Sequence, residues 1–205
     1  MSKAGDQQKL QTAFSLHQTG NLDRAANIYR EIINSDSHNF HALHYLGVIE
    51  ANSGNFQQAK SLMARSLLIQ PPNIQFWENY ATILVQTGDY ESALQICQQG
   101  LQLNRPSVSL LYVSAISLFK LKRLQDSITQ FDKLLLIQPN HIAALNERGS
   151  VLAEMNHYDS AIESVEKALG FQPQYAEAHL NKGNLCSLRK RYDEAIAHLG
   201  VTMRL

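Results

Sequence analysis

The chain has 205 residues, its 18 lysines and arginines balance its 18 aspartates and glutamates, and 44% of its residues are hydrophobic. Balanced charge provides no basic field for nucleic acid or for an anionic membrane, so neither partner is expected. The polar N-terminus lacks the apolar core of a secretory signal, and the longest purely aliphatic run, residues 134–137, is too short to span a bilayer. We therefore expect a cytoplasmic protein, whose two cysteines are buried free thiols.

A 34-residue pattern recurs along the sequence without insertion. A fixed period in this range is typical of a solenoid, in which each repeat contacts only its neighbours. We therefore predict an N-terminal tail at residues 1–5 and one repeat domain at residues 6–205. The predicted repeats are 6–39, 40–73, 74–107, 108–141, 142–175 and an incomplete copy at 176–205.

Within each repeat, apolar residues occur twice at the spacing of a helix. In the second repeat, Leu43 and Leu46 share one helical face, Gly54 marks a turn, and Ala59 and Met63 share a second face. This pattern predicts two short antiparallel helices per repeat. Proline cannot continue a helix, and the five prolines stand near repeat ends: Pro71, Pro72, Pro106, Pro139 and Pro173.

Two positions of the repeat hold small residues throughout, which predicts a close approach of the two helices. The eighth position is occupied by Ala13, Gly47, Ala81, Ala115, Gly149 and Gly183. The twentieth position is occupied by Ala25, Ala59, Ala93, Ser127, Ala161 and Ala195.

This repeat resembles the tetratricopeptide repeat (TPR). In the third repeat, Trp77, Ala81, Tyr90, Ala93 and Pro106 follow the family's pattern, and the resemblance covers residues 6–205. It implies an all-α fold, a right-handed α-α superhelix of about six helix-turn-helix repeats. It also implies a non-catalytic scaffold for protein–protein interaction. The sequence departs from the pattern where other residues replace the turn glycine, at Lys122, Asn156 and Lys190.

In this family the first helices line a concave groove that binds a peptide or protein partner. Carried over by position, the resemblance assigns to the groove His41, His44, Tyr45, Asn52, Gln75, Glu78, Asn79, Thr82, Gln86, Tyr112, Lys120, Asn146, Glu147, Ser150, Asn181 and Asn184. Amide side chains offer both donors and acceptors, which suits an extended peptide backbone.

A narrower resemblance gives an alternative function. The helical arm of protein O-linked N-acetylglucosaminyltransferases carries inward asparagines at the sixth and ninth positions of its repeats. The opening repeats of this chain also resemble those of bacterial, SPINDLY-type proteins that join such repeats to that glycosyltransferase. Here Asn79 and Asn181 stand at the sixth position and Asn184 at the ninth, although other residues interrupt the series. The resemblance implies that the chain is the substrate-recognition arm of a truncated glycosyltransferase of this type.

The chain itself is not expected to be an enzyme. It contains no strained serine elbow and no glycine-rich phosphate loop after a predicted strand, so we assign no catalytic residue and no cofactor. His38, His41 and His44 are closely spaced, but no cysteine, aspartate or glutamate at matching helical spacing completes a metal site, so none is predicted.

The C-terminal end of the sequence is apolar, at Leu199, Val201, Met203 and Leu205. A solenoid normally ends in a helix with a polar outer face, and no such cap is visible here. Two interpretations stay open. The chain is a truncated piece of a longer protein, or this end self-associates.

Overall fold

The computed structural model describes residues 3–69, 73–103 and 106–203, and the side chains from residue 6 onward. Pro71, Pro72 and Leu205, for which roles are predicted above, lie outside the described residues. Within the described ranges the chain forms twelve α-helices and no strand. They are α1 (Lys3–Gln18), α2 (Leu22–Ser35), α3 (Phe40–Asn52), α4 (Phe56–Leu67), α5 (Ile74–Gln86), α6 (Tyr90–Leu101), α7 (Val108–Lys120), α8 (Leu124–Ile137), α9 (Ile142–Glu154), α10 (Tyr158–Phe171), α11 (Ala176–Leu188) and α12 (Tyr192–Thr202).

Each predicted repeat contributes one pair of helices, which confirms the predicted all-α fold of helix-turn-helix repeats. Five first helices begin at the first residue of their repeat, at Phe40, Ile74, Val108, Ile142 and Ala176. The exception is α1, which begins at Lys3 and so extends into the predicted N-terminal tail.

The chain divides into two compact units, Met1–Arg105 (unit 1) and Pro106–Leu205 (unit 2). In unit 1 the helices pack as the pairs α1–α2, α3–α4 and α5–α6, and neighbouring pairs join through α2–α3 and α4–α5. Unit 2 follows the same scheme, with pairs α7–α8, α9–α10 and α11–α12 joined through α8–α9 and α10–α11. Each unit therefore has its own set of packed helix pairs.

The core of each unit is formed by apolar side chains between the helices. Tyr29, Met63 and Leu84 are fully buried in unit 1, as are Phe131 and Val165 in unit 2. None of the described helices is long and apolar enough to cross a membrane.

The small residues permit the predicted close approach of paired helices. A Cβ atom at Gly149 would lie 2.5 Å from Cγ2 of Val165, closer than carbon atoms can approach without a shift. At the twentieth position Ser127 replaces alanine, and its hydroxyl is satisfied because it donates to the main-chain oxygen of Ala115 at 2.8 Å. The eighth and twentieth positions therefore set the distance between the two helices of a repeat.

In four repeats, but not at Tyr175 before α11, the side chain of the last residue caps the first helix of the next repeat. The side chains of Asn39, Asn73, Ser107 and His141 each accept a hydrogen bond from a main-chain N–H in the first turn of α3, α5, α7 and α9. Such caps satisfy N–H groups that have no partner inside the helix, and thereby fix where the first helices begin.

The turn within each repeat requires a left-handed backbone. This position is glycine in the first three repeats, with φ between 76° and 81°. Lys122, Asn156 and Lys190, the predicted departures from the family pattern, adopt the same conformation at φ values of 61°, 62° and 59°. The turn is therefore preserved without glycine, at the cost of a less favourable backbone conformation.

Candidate functional site

All the side chains assigned to the groove lie on first helices. In unit 1 they belong to α3 and α5, which contact each other, and in unit 2 to α7, α9 and α11, where α9 contacts both neighbours. The unit 1 first-helix surface comprises His41, Tyr45, Asn52, Gln75, Glu78, Asn79, Thr82 and Gln86. The unit 2 first-helix surface comprises Tyr112, Lys120, Glu147, Ser150, Asn181 and Asn184.

Two of the assigned residues are on first helices but are buried, and so lie outside these surfaces. His44 and Asn146 are only 1% and 2% exposed, so neither side chain can contact a ligand directly. Both stand at the fifth position of a repeat, where the side chain turns toward the next first helix. The ring of His44 stacks on Phe76 of α5, with centroids 3.7 Å apart, and Asn146 accepts a hydrogen bond from Asn181 of α11.

The remaining assigned residues are accessible to different degrees. The exposed ones are Asn52, Gln75, Thr82, Gln86, Lys120 and Asn184. The half-buried ones are His41, Tyr45, Glu78, Asn79, Tyr112, Glu147, Ser150 and Asn181. Each unit therefore has a strip of accessible amide, hydroxyl and aromatic groups along its first helices.

A notch of about 230 Å³ opens on the unit 1 first-helix surface. Apolar side chains from α3, α4 and α5 and polar side chains from α3 and α5 line it: Val48, Ala51, Met63, Ile83, Asn52, Asn79, Thr82 and Gln86. No charged side chain is among these lining residues, so a neutral segment could enter without leaving an unpaired charge buried.

Asn79 connects the exposed strip of unit 1 to its interior. Its Oδ1 accepts a hydrogen bond from Gln75 Nε2 at 2.9 Å, and its Nδ2 lies 3.1 Å from His44 Nε2. Burial, followed by the nearby His41 and His17, lowers the pKa of His44 to about 3. His44 is therefore neutral near pH 7, and its Nε2 acts as the acceptor for Asn79.

Two aromatic side chains of unit 1 were missed by the sequence assignment. Phe14 and His17 of α1 lie beside the first-helix surface, with ring centroids 5.2 Å and 5.8 Å from that of Tyr45. They occupy the ninth and twelfth positions of the first repeat. The same positional assignment would have found them, had it been extended to that repeat.

The unit 2 first-helix surface is rich in hydrogen-bond acceptors. Burial raises the pKa of Glu147, an effect that Lys120 partly offsets and Glu177 reinforces. Burial, followed by the charges of Glu147 and Glu177, also raises the pKa of Tyr112 to about 12. The Tyr112 ring stacks on the His141 ring, with ring centroids 5.4 Å apart. Lys120 is the one cation among the assigned residues of unit 2.

Asn181 links two first helices of unit 2. Its Nδ2 donates to Asn146 Oδ1 at 2.8 Å and to Ser150 Oγ at 3.2 Å. Within the described part of the chain, no group of three or more histidine, cysteine, aspartate or glutamate side chains could hold a metal ion.

Comparison with known proteins supports the repeat assignment. Residues 146–199 match the sequence model of the tetratricopeptide repeat, and residues 58–134 match that of subunit 3 of the anaphase-promoting complex, or cyclosome. The structure is similar to that of a tetratricopeptide repeat protein from Parabacteroides merdae, with a TM-score of 0.83 and 18% identity, over 97% of this chain and 79% of that one. The described helix pairs therefore have the fold of tetratricopeptide repeats, and residues 146–199 carry the sequence pattern of that family.

The chain is also similar to proteins with other descriptions. A solved structure, YrrB, described as a TPR protein with an unusual peptide-binding site, has a TM-score of 0.69 and 15% identity, over 87% of this chain and 92% of that one. Human sperm-associated antigen 1 is 30% identical over 113 residues, which are 55% of this chain but 12% of that protein. The chain thus spans a small part of that relative's length.

Proposed function

We propose that the first-helix surfaces of this chain bind an extended segment of a protein partner, and that the chain acts as a non-catalytic scaffold. The observation that carries this proposal is the notch of unit 1, where Asn52, Asn79 and Gln86 surround an apolar floor. The exposed amides of Asn52 and Gln86 can each pair with both the N–H and the C=O of a peptide backbone. The apolar floor adds favourable burial for side chains of the partner.

The proposed partner segment is neutral at the notch and is not an acidic C-terminus. An acidic ligand would need several inward cations, and the assigned residues include Lys120 alone. We propose no nucleic-acid partner, because the charges of the chain balance. A cytoplasmic location is consistent with two cysteines that are buried and unpaired, Cys97 and Cys186.

Filling the notch should abolish binding of a peptide selected on the chain from a displayed random library. Thr82 is exposed on α5, so Thr82→Arg should leave the fold intact while its long side chain occupies the notch. We expect peptide affinity, measured by calorimetric titration, to fall by about tenfold or more.

The matched control is Ser61→Arg, because Ser61 is exposed on α4, a second helix of the same unit. Its affinity should equal that of the parent. Equal binding by parent and Thr82→Arg, or failure to select any peptide, would contradict the proposal.

A second candidate role is the substrate-recognition arm of a glycosyltransferase of the O-linked N-acetylglucosamine type. The observation that favours it is the placement of Asn79 and Asn181 on the first-helix surfaces of both units. The reading frame after the codon for Leu205 tests this role. An α/β glycosyltransferase domain is expected there, and a stop codon followed by unrelated sequence would count against it.

We also propose that the outer face of α12 self-associates. Ile196 is 69% exposed, whereas Ile128 and Ile162 at the same repeat position are 7% and 6% exposed. Leu188, Tyr192 and Met203 are exposed on the last helix pair as well. Sedimentation should show a dimer that Ile196→Lys converts to monomer. A monomeric parent at high concentration would contradict this idea.

A further inference from the structure

The groove-facing asparagines of the two units are held by the same device. Asn79 and Asn181 each stand at the sixth position of a repeat, and each is bonded through Nδ2 to a buried side chain at the fifth position of the preceding repeat. The partners are His44 Nε2 at 3.1 Å and Asn146 Oδ1 at 2.8 Å, each 35 residues earlier in the sequence. The device therefore occurs once in each unit, at the two repeats that carry asparagine at the sixth position.

In unit 2 three hydrogen bonds define the polarity of this device. The Nδ2 of Asn181 also donates to Ser150 Oγ at 3.2 Å, while the Ser150 hydroxyl donates to the main-chain oxygen of Asn146 at 3.4 Å. Both N–H groups of the Asn181 amide are thereby directed into the protein. While Ser150 donates to the Asn146 main chain and Asn146 Oδ1 faces Asn181, turning the Asn181 amide over would place its Oδ1 against two acceptors. The carbonyl oxygen is the part of this amide left to face the surface.

In unit 1 a carbonyl oxygen of this kind already accepts a hydrogen bond from an exposed side chain. There Asn79 Oδ1 receives a hydrogen bond from Gln75 Nε2 at 2.9 Å, and Gln75 is an exposed side chain on the same helix. An N–H group from the exposed side therefore already occupies the position that a donor from a ligand would take.

We propose that His44 and Asn146 are positioning residues, which turn the carbonyl oxygen of the next repeat's asparagine outward so that the first-helix surfaces select N–H donors. This inference rests on the proposed function and defines its ligand more narrowly. The selected groups are the main-chain N–H groups of an extended segment. Acceptor-only groups such as carboxylates find no free N–H at Asn181, because both N–H groups of its amide are directed inward.

A matched pair of peptides tests the inference. The probe is a blocked octapeptide of alternating glycine and serine, and its analogue has ester oxygens in place of alternate main-chain N–H groups. Both are titrated to millimolar concentration against the full chain, followed by the side-chain amide resonances of Asn79 and Asn181. We expect the ester analogue to bind about three- to tenfold more weakly for each N–H hydrogen bond that the ester removes.

Variants of the positioning residue distinguish an effect on the orientation of the asparagine amide from an effect on the stability of the fold. Asn146→Leu removes the buried acceptor, so the side-chain amide of Asn181 can turn over. The affinity for the amide peptide divided by the affinity for the ester peptide should then fall toward one. Asn146→Asp retains an acceptor and should retain the ratio. A merely structural role for Asn146 would weaken both peptides together and leave the ratio unchanged. If Asn146→Leu does not fold, His44→Phe provides the same comparison at Asn79, because phenylalanine keeps the stack on Phe76.

The outcomes distinguish this inference from the proposed function. Equal binding of the amide and ester peptides, or an unchanged ratio in Asn146→Leu, would overturn the inference and leave the peptide-binding proposal standing. Absence of binding by either peptide at millimolar concentration would overturn both.

Discussion

At the scale of single residues, His44 shows how a polar side chain is accommodated inside the repeat. Its ring is stacked on Phe76, its Nε2 is bonded to Asn79, and its Nδ1 is buried with no hydrogen-bond partner among the described groups. A positive charge on this ring would be costly, because His41 and His17 face it and water is excluded. The residue is therefore a neutral structural histidine that acts on the surface through Asn79.

The burial of His44 predicts that unit 1 loses stability in acid. The pKa is lowered from 6.5 to about 3 in the folded chain, so the unfolded chain binds more protons between these values. Stability is therefore fully present above pH 6.5 and falls as the pH drops, by up to roughly 1.4 kcal/mol per pH unit well below the unfolded pKa. Urea unfolding at pH 7 and pH 5 should show a lower midpoint at pH 5.

The matched variants for this prediction are His44→Phe and His38→Phe. His44→Phe should reduce the difference between the two midpoints, since it removes the buried titrating group. His38 is exposed, so His38→Phe should leave the difference as in the parent. An equal acid response in all three proteins would show that His44 does not carry the effect.

At the scale of helices, the distance between the two helices of a repeat depends on the space that the residue at the eighth position leaves. Gly47 faces Met63 and Gly149 faces Val165, where an added Cβ would lie 2.8 Å and 2.5 Å from side-chain carbons. Methionine is flexible and can move away, whereas valine is branched at Cβ and has few alternative rotamers. The same substitution should therefore have different costs in the two repeats.

We expect Gly149→Ala to destabilise unit 2 by about 1–3 kcal/mol through overpacking against Val165. Gly47→Ala should cost less, and the higher helix propensity of alanine offsets part of that cost. Thermal unfolding followed by circular dichroism provides the measurement. A melting temperature for Gly149→Ala equal to that of Gly47→Ala would contradict the packing explanation.

The positions of the helices were predictable from the sequence, but the direction in which some side chains point was not. The 34-residue period predicted the starts of α3, α5, α7, α9 and α11, because apolar spacing, turn residues and prolines all agree. His44 and Asn146 were misplaced for a physical reason. At the fifth position a side chain lies between the groove and the neighbouring first helix, and the packing of adjacent repeats decides which way it turns.

At the scale of the molecule, each unit combines a tightly packed interior with an accessible strip of amide and aromatic side chains. The interior can be inferred from the repeat pattern, since it is shared by every repeat. The accessible strip varies from repeat to repeat, and it is this variation that would specify a partner. The sequence consequently predicts the location of the binding surface better than the identity of what binds there.

The most direct test of the central claim is to map the binding site of a library-selected peptide by chemical-shift perturbation on the labelled chain. We predict that the largest shifts fall on first-helix residues, including Asn79, Thr82 and Asn181, and that the second helices α4, α6, α8 and α10 are little affected. Shifts concentrated on those second helices would contradict the assignment of the first-helix surfaces as the binding site.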